Sequence, residues 1–401
     1  MSALETFEVV VVGGGPTGAT AASDLAKKGR KVLLLDRMGR IKPCGGAIPP
    51  RLIKDFEIPD ELLVAKANCA RMIAPSDKAV DMHIEGGFVG MVDRDKFDEF
   101  LRVRAANDGA ERRTGIFEKL SRDENGVSVV HYVVRGAKQG VPDQMMSVRA
   151  KAVIGADGAK SGVGRQAIPG AKDVEYVFAY HEIVKVPDNP PADFDGSRCD
   201  VFYQGALSPD FYGWIFPHGN TMSIGTGTAD KGFSLRSAVT ALKKQTGLEN
   251  AEMLRHEGAP LPMKPLKKWD NGRDVVLAGD AAGVVAPASG EGIYYGMYGG
   301  RVAAEAVEEL LVTGNGKVLA KARKKFMKEH GTVFLVLGIM QRFWYNNDKR
   351  RERFVKMCED KDVQRLTFES YMNKKLVRRD PMAHFKIFLK DTAHLLGFAK
   401  V

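Results

Sequence analysis

The run Val9-Val10-Val11-Val12-Gly13-Gly14-Gly15-Pro16-Thr17-Gly18 leaves this chain few folds to choose from. A β-branched run reads as a buried strand. Glycines at the GxGxxG spacing must then turn the chain and open a helix, which the alanine-rich residues before Gly29 supply. In that context Gly13 allows the tight turn, Gly15 lets the backbone approach a pyrophosphate, and Gly18 lets helix pack on strand. The helix N-terminus faces the phosphate charge. A second strand, Lys31 to Leu35, ends at Asp36, near the roughly 20-residue spacing of a carboxylate that takes the adenosine ribose hydroxyls. An acid there repels a 2′-phosphate, so FAD or NAD is expected at this site and NADP is not.

Two later stretches select FAD. "KAVIGADGAKSGVGR" sets Asp157-Gly158 after a short buried strand, and "DVVLAGDAAGVVAPASGEG" sets Gly279-Asp280 after another. These fingerprints resemble those of the aromatic-hydroxylase flavoprotein superfamily. The resemblance implies that Asp280 holds the flavin ribitol, that Asp157 lies near the pyrophosphate, and that Arg37, Arg94 and Ile293 join the cofactor contacts. A helix beginning near Glu291 would point its positive end at the flavin ring, with Gly290 and Gly292 permitting close approach. GxGxxG occurs once, so NADPH is expected only as a transient reductant against the flavin domain.

The fold class expected is α/β: a Rossmann-like FAD-binding domain interleaved with a mainly antiparallel β-sheet substrate domain, followed by a C-terminal helical region. Residues 1–72, 93–169 and 268–316 are assigned to the FAD domain, 73–92 and 170–267 to the substrate domain, and 317–401 to the helices. Alternating stretches around Asn125-Gly126 and Gly140-Val141-Pro142 read as a small antiparallel meander within the first domain. Four scattered cysteines without a CxxC pair exclude a disulfide scaffold and give no sign of zinc, so no metal site is expected and a reducing, cytoplasmic setting fits. The N-terminus lacks the pattern of a signal peptide. The net charge of +10 suits an anionic membrane surface or a diphosphate; with no recognition module, nucleic acid is not an expected partner.

"SPDFYGWIFPHG" places four rings, Phe211, Tyr212, Trp214 and Phe216, within six positions. In a strand Tyr212, Trp214 and Phe216 share a face and make an apolar slot. Together with Gly225-Thr226-Gly227, "KPCGG" at Lys42 to Gly46, and "PASGEGI" at Pro287 to Ile293, this arrangement resembles the geranylgeranyl reductase family, nearest its chlorophyll and bacteriochlorophyll branch, with the archaeal-lipid reductases as the alternative. The resemblance implies reduction of isolated double bonds of a prenyl chain carried on a pigment or a diphosphate. Tyr212, Trp214 and Phe216 are the expected substrate contacts. Cys44, Tyr212 and His218 are the candidate acids, and Cys44, Gly45 and Gly46 also reach the flavin. A flavin monooxygenase or halogenase shares the same motifs, and a non-catalytic prenyl carrier shares the architecture. An insoluble substrate calls for peripheral contact with a photosynthetic membrane, expected along Phe334 to Lys356 through Arg350, Arg351 and Arg353.

Overall fold

The computed structural model describes residues 4–37, 41–42, 44–136 and 142–374. Pro43, the Gly140-Val141 part of the expected turn and residues 375–401 of the expected helical region lie outside the described residues. Contacts divide the chain into two compact units, one of residues 1–41, 95–176 and 260–331, the other of residues 42–94, 177–259 and 332–401.

The first unit is built on a seven-stranded sheet. Strand Thr6–Val12 lies parallel between Val32–Asp36 and Gln144–Gly155, and Glu111–Thr114 adds a parallel edge beyond Val32–Asp36. Val9 to Val12 are buried, as a parallel strand covered on both faces requires. Gln144–Gly155 serves two partners on its other side. Its first half pairs antiparallel with Ser128–Val134, which pairs in turn with Ile116–Arg122, and its end pairs parallel with Val275–Leu277. The antiparallel strands are the expected meander. Helix Pro16–Ala26 packs on helix Ile293–Thr313 so closely that a Cβ added at Gly296 would stand 2.7 Å from Thr17 Oγ1.

The second unit carries a seven-stranded sheet in the order Met253–Leu261, Val177–Lys185, Thr221–Thr228, Gly213–His218, Arg198–Phe202, Cys69–Ile73, Ala79–His83. Arg198–Phe202 pairs parallel with Cys69–Ile73, while the Gly213–His218 strand is antiparallel to both neighbours. Helix Leu235–Gln245, capped by Ser234, covers one face: its Val239 and Leu242 join Ile73, Val184, Phe202, Ile215, Met222 and Ile224 in one core. A smaller sheet joins Ala47–Ile48, Val89–Val92 and Leu63–Ala67.

The boundaries differ from those expected: residues 170–176 and 260–267 join the first unit, and two larger differences have a clear cause. Residues 42–72 fall in the second unit rather than with the cofactor strands, because their pairing partners are Val89–Val92 and Arg198–Phe202. The C-terminal helices are not a region apart: the division falls inside helix Ala320–Trp344 at residue 331, and helices Asp348–Met357 and Lys361–Asn373 belong to the second unit.

Candidate functional site

The first unit gathers its candidate cofactor residues at the ends of parallel strands. Gly13 has φ +106°, a conformation an L side chain rarely adopts, and a Cβ at Gly18 would collide with the Gly13 carbonyl. Gly15 differs from both: a Cβ there would meet nothing within 4 Å, so the helix start opens onto free space. That is the cradle a pyrophosphate needs. Asp36 closes one side. Burial pushes its carboxyl up, against the Gly14 and Arg37 N–H groups it accepts from and the nearby Arg102 guanidinium. Arg102, which sequence reasoning missed, reaches Asp36 Oδ2 at 3.4 Å and the Gly14 carbonyl at 3.2 Å across 66 positions of chain. Arg37 itself is exposed.

Asp157 is half-buried, and desolvation of its carboxyl raises the pKa. Its oxygens accept from the Ser161 hydroxyl at 2.5 Å and from the N–H groups of Gly162 at 2.6 Å and Val163 at 3.1 Å. The carboxylate thus shapes the turn that opens helix Gly162–Ala167. Gly279-Asp280 lies in a 3₁₀ turn, Gly279–Ala282, with Asp280 buried and its Oδ1 3.6 Å from where a Gly292 Cβ would stand. Gly290 has φ +64°, and the following helix starts at Ile293, with Glu291 Oε1 accepting from the Tyr294 N–H at 2.8 Å. These residues fit a dinucleotide flavin.

In the second unit Arg94 is buried at the start of helix Arg94–Asn107. Cys44 is the one cysteine of the four that is not buried, and its Sγ accepts from the Gly46 N–H at 3.4 Å. Gly45 and Gly46 are forced by their neighbours: a Cβ on Gly45 would stand 2.7 Å from the Phe216 ring, one on Gly46 2.5 Å from His218 Cε1. His218 lies with Nε2 3.1 Å from the Gly45 carbonyl and Nδ1 3.0 Å from Asp93 Oδ1. Both ring nitrogens face oxygen atoms, and the side chain braces the Cys44–Gly46 turn.

The aromatic strand alternates as expected. Ile215 enters the core under helix Leu235–Gln245, while Trp214 lies 6.0 Å from Tyr212 and 6.2 Å from Phe216, ring centre to ring centre. Phe211 stacks on Tyr212 at 4.2 Å. Burial pushes the Tyr212 phenol well above its ordinary value, so it stays protonated.

The expected membrane segment is used differently. Tyr345 and Phe354 pack on Tyr203 at 5.1 and 5.0 Å, and Trp344 is buried beside Phe354. Arg351 is only 2% exposed, its guanidinium donating to Asp348 and to the carbonyls of Ser208, Pro209 and Tyr345. Arg350 lies over the Phe343 ring. Helix geometry turns these arginines inward or along the surface, so Arg351 cannot meet lipid. Of its large apolar residues this segment turns outward Leu335 at 64% and Ile339 at 59% exposure, with Arg342 and Lys349 exposed as well.

Residues 6–322 match the FAD binding domain family. The chain is 56% identical over 391 residues, 98% of each protein, to the geranylgeranyl diphosphate reductase of Rhodobacter capsulatus. It is 37% identical to the chloroplastic geranylgeranyl diphosphate reductase of Oryza sativa subsp. japonica, over 97% of this chain and 86% of that one. A geranylgeranyl bacteriochlorophyll reductase-like protein of Thermoplasma acidophilum has the same fold, with a TM-score of 0.81 over 96% of this chain and 99% of that one at 23% identity. With the flavin cradle formed and the likeness running from end to end, the chain belongs to the geranylgeranyl diphosphate reductase family of FAD-dependent oxidoreductases.

Proposed function

We propose that the protein reduces isolated carbon–carbon double bonds of a geranylgeranyl chain, carried on bacteriochlorophyll or chlorophyll or on a diphosphate, with NADPH as transient reductant. The observation that carries this reading is the face shared by Tyr212, Trp214 and Phe216 in a unit separate from the flavin cradle. Such a face offers apolar area and almost no hydrogen-bonding groups, which suits an isoprenoid and little else.

An isolated alkene has no carbonyl to take up charge, so a proton must reach the less substituted carbon as cation character grows on the other. Bound and reduced, FAD supplies the hydride. The chain's own residues hold the alkene against the rings, whose faces stabilise positive charge by about 0.5 to 2 kcal/mol each, and keep water away. Cys44 is the proposed proton source, a half-buried residue whose thiol sulfur is held by a backbone N–H; Tyr212 is the second candidate.

We further propose that the enzyme collects its substrate from a membrane surface through Leu335 and Ile339. Among the described residues no helix is long and apolar enough to cross a bilayer. Incubation with FAD, NADPH and each prenyl substrate, followed by mass spectrometry, tests the activity. Gains of about 2, 4 or 6 Da count the reductions. Oxygen uptake coupled to substrate turnover, with no such gain, would replace reduction by a monooxygenase reading.

A further inference from the structure

Behind the indole of Trp214 a line of polar side chains crosses four adjacent strands of the second unit. Trp214 Nε1 lies 3.1 Å from Ser223 Oγ. Ser223 Oγ lies 2.9 Å from His181 Nδ1, across 42 positions of chain. His181 Nε2 lies 2.8 Å from Glu257 Oε2, and Arg255 holds the other oxygen at 3.1 Å. Burial pushes the Glu257 carboxyl up, but the His181 hydrogen bond and the neighbouring charges outweigh it and hold the group below its ordinary value.

An indole N–H can only donate, so the serine oxygen accepts from it, and the imidazole tautomer sets which atom donates between Ser223 Oγ and His181 Nδ1. In the tautomer whose Nδ1 accepts, the ring hydrogen sits on Nε2, beside the Glu257 carboxylate. Gly225 completes the seat: a Cβ there would stand 2.6 Å from Trp214 Cε2 and 2.7 Å from His181 Cβ. Serine, histidine and glutamate are also the parts of a hydrolytic triad, but Ser223 is fully buried and its oxygen is occupied by Trp214, so it has no access to a substrate carbonyl.

We propose that Glu257, His181 and Ser223 are positioning residues that fix the tilt of the Trp214 ring and thereby set which prenyl chains the aromatic face accepts. The inference rests on that face being the prenyl surface. An indole held only by packing could rock; one whose N–H is seated on Ser223, itself backed by His181 and Glu257, keeps one orientation.

The test reads the indole and the substrate separately. In ¹H–¹⁵N spectra of the FAD-loaded protein, the Trp214 indole resonance is identified by its loss in Trp214→Phe. It should move in Ser223→Ala and in Glu257→Leu, and return toward the parent position in Glu257→Gln, whose amide oxygen still accepts. The first two variants should raise KM for the geranylgeranyl substrate about tenfold with kcat changed less than about twofold, narrow the preference over a farnesyl chain, and keep FAD, while the melting temperature falls as buried polar groups lose their partners. Glu257→Gln should recover most of the parent KM. Ser223→Ala removes a single hydroxyl and stands in if Glu257→Leu does not fold. An unmoved resonance in Ser223→Ala overturns the brace. A moved resonance with parent KM and parent chain preference overturns its link to specificity. A normal KM in Trp214→Ala would instead remove the prenyl reading itself.

Discussion

The first unit presents backbone at its candidate site, through a glycine that opens onto free space and turns that carry Asp280, whereas the second presents a wall of rings held up from behind by histidine, serine and arginine. A backbone site is rigid at once, because its atoms are already fixed by strand pairing and helix start, and what it cannot tolerate is an added atom. A ring site tolerates changes in shape but depends on remote polar partners to hold the rings still. Substitutions should therefore fail differently in the two units.

Asp280→Ala should have the largest effect, removing a charged acceptor from the cofactor region and abolishing flavin binding and turnover together. Retained yellow colour with normal activity would break the assignment. Arg351→Ala comes next, on the other side of the comparison. It leaves the carbonyls of Ser208, Pro209 and Tyr345 without their donor, and should lower stability by about 3 kcal/mol in denaturant unfolding while the isolated flavin affinity changes little.

Gly15→Ala sharpens the contrast. With φ −72° and ψ −179° the position accepts alanine, and the new methyl meets no protein atom, so the cofactor-free melting curve should stay within about 0.5 kcal/mol. FAD affinity, measured by calorimetric titration, should fall roughly a hundredfold, about 2.7 kcal/mol. A destabilised protein with normal affinity would mean the space is not the cofactor's.

Trp214→Ala should keep a full complement of flavin and raise KM for the prenyl substrate about tenfold. Equal loss of FAD and substrate would mean the ring is core alone. The smallest effect belongs to the exposed helix face. Replacing Leu335 and Ile339 together by Gln should reduce sedimentation with anionic liposomes a few-fold, and high salt should weaken what remains. Sedimentation equal to the parent's would place membrane contact elsewhere.

The same contrast explains what could be read from the sequence. Gly13, Gly15, Gly18 and Asp36 belong to one local unit, strand, turn, helix, strand, so their spacing carried their arrangement. Arg102 completes that corner from 66 positions away and has no local pattern to announce it. Tyr212, Trp214 and Phe216 were legible because alternation is a two-residue rule. His181 and Glu257 were not, because strand order brings them to Trp214 and no spacing encodes it. Arg350, Arg351 and Arg353 looked alike as a run of charge. Helix Asp348–Met357 separates them by face, and only the structure shows Arg351 turned toward three carbonyls.

That inward arginine bears on how the protein is made. The loop leading into the aromatic strand, from Tyr203 to Tyr212, takes its final hydrogen bonds from Arg351, and Asp348 Oδ1 accepts from the Gly205 N–H at 2.9 Å. On the ribosome these partners are synthesised well over a hundred residues after the strand itself, since Gly205 and Asp348 are 143 positions apart. A nascent chain can finish the glycine turn of the first unit early, while the ring-bearing loop waits, incompletely bonded, for almost the whole polypeptide. Translation that stops short of residue 351 would leave the loop that enters the aromatic strand open to chaperones, proteases or other nascent chains.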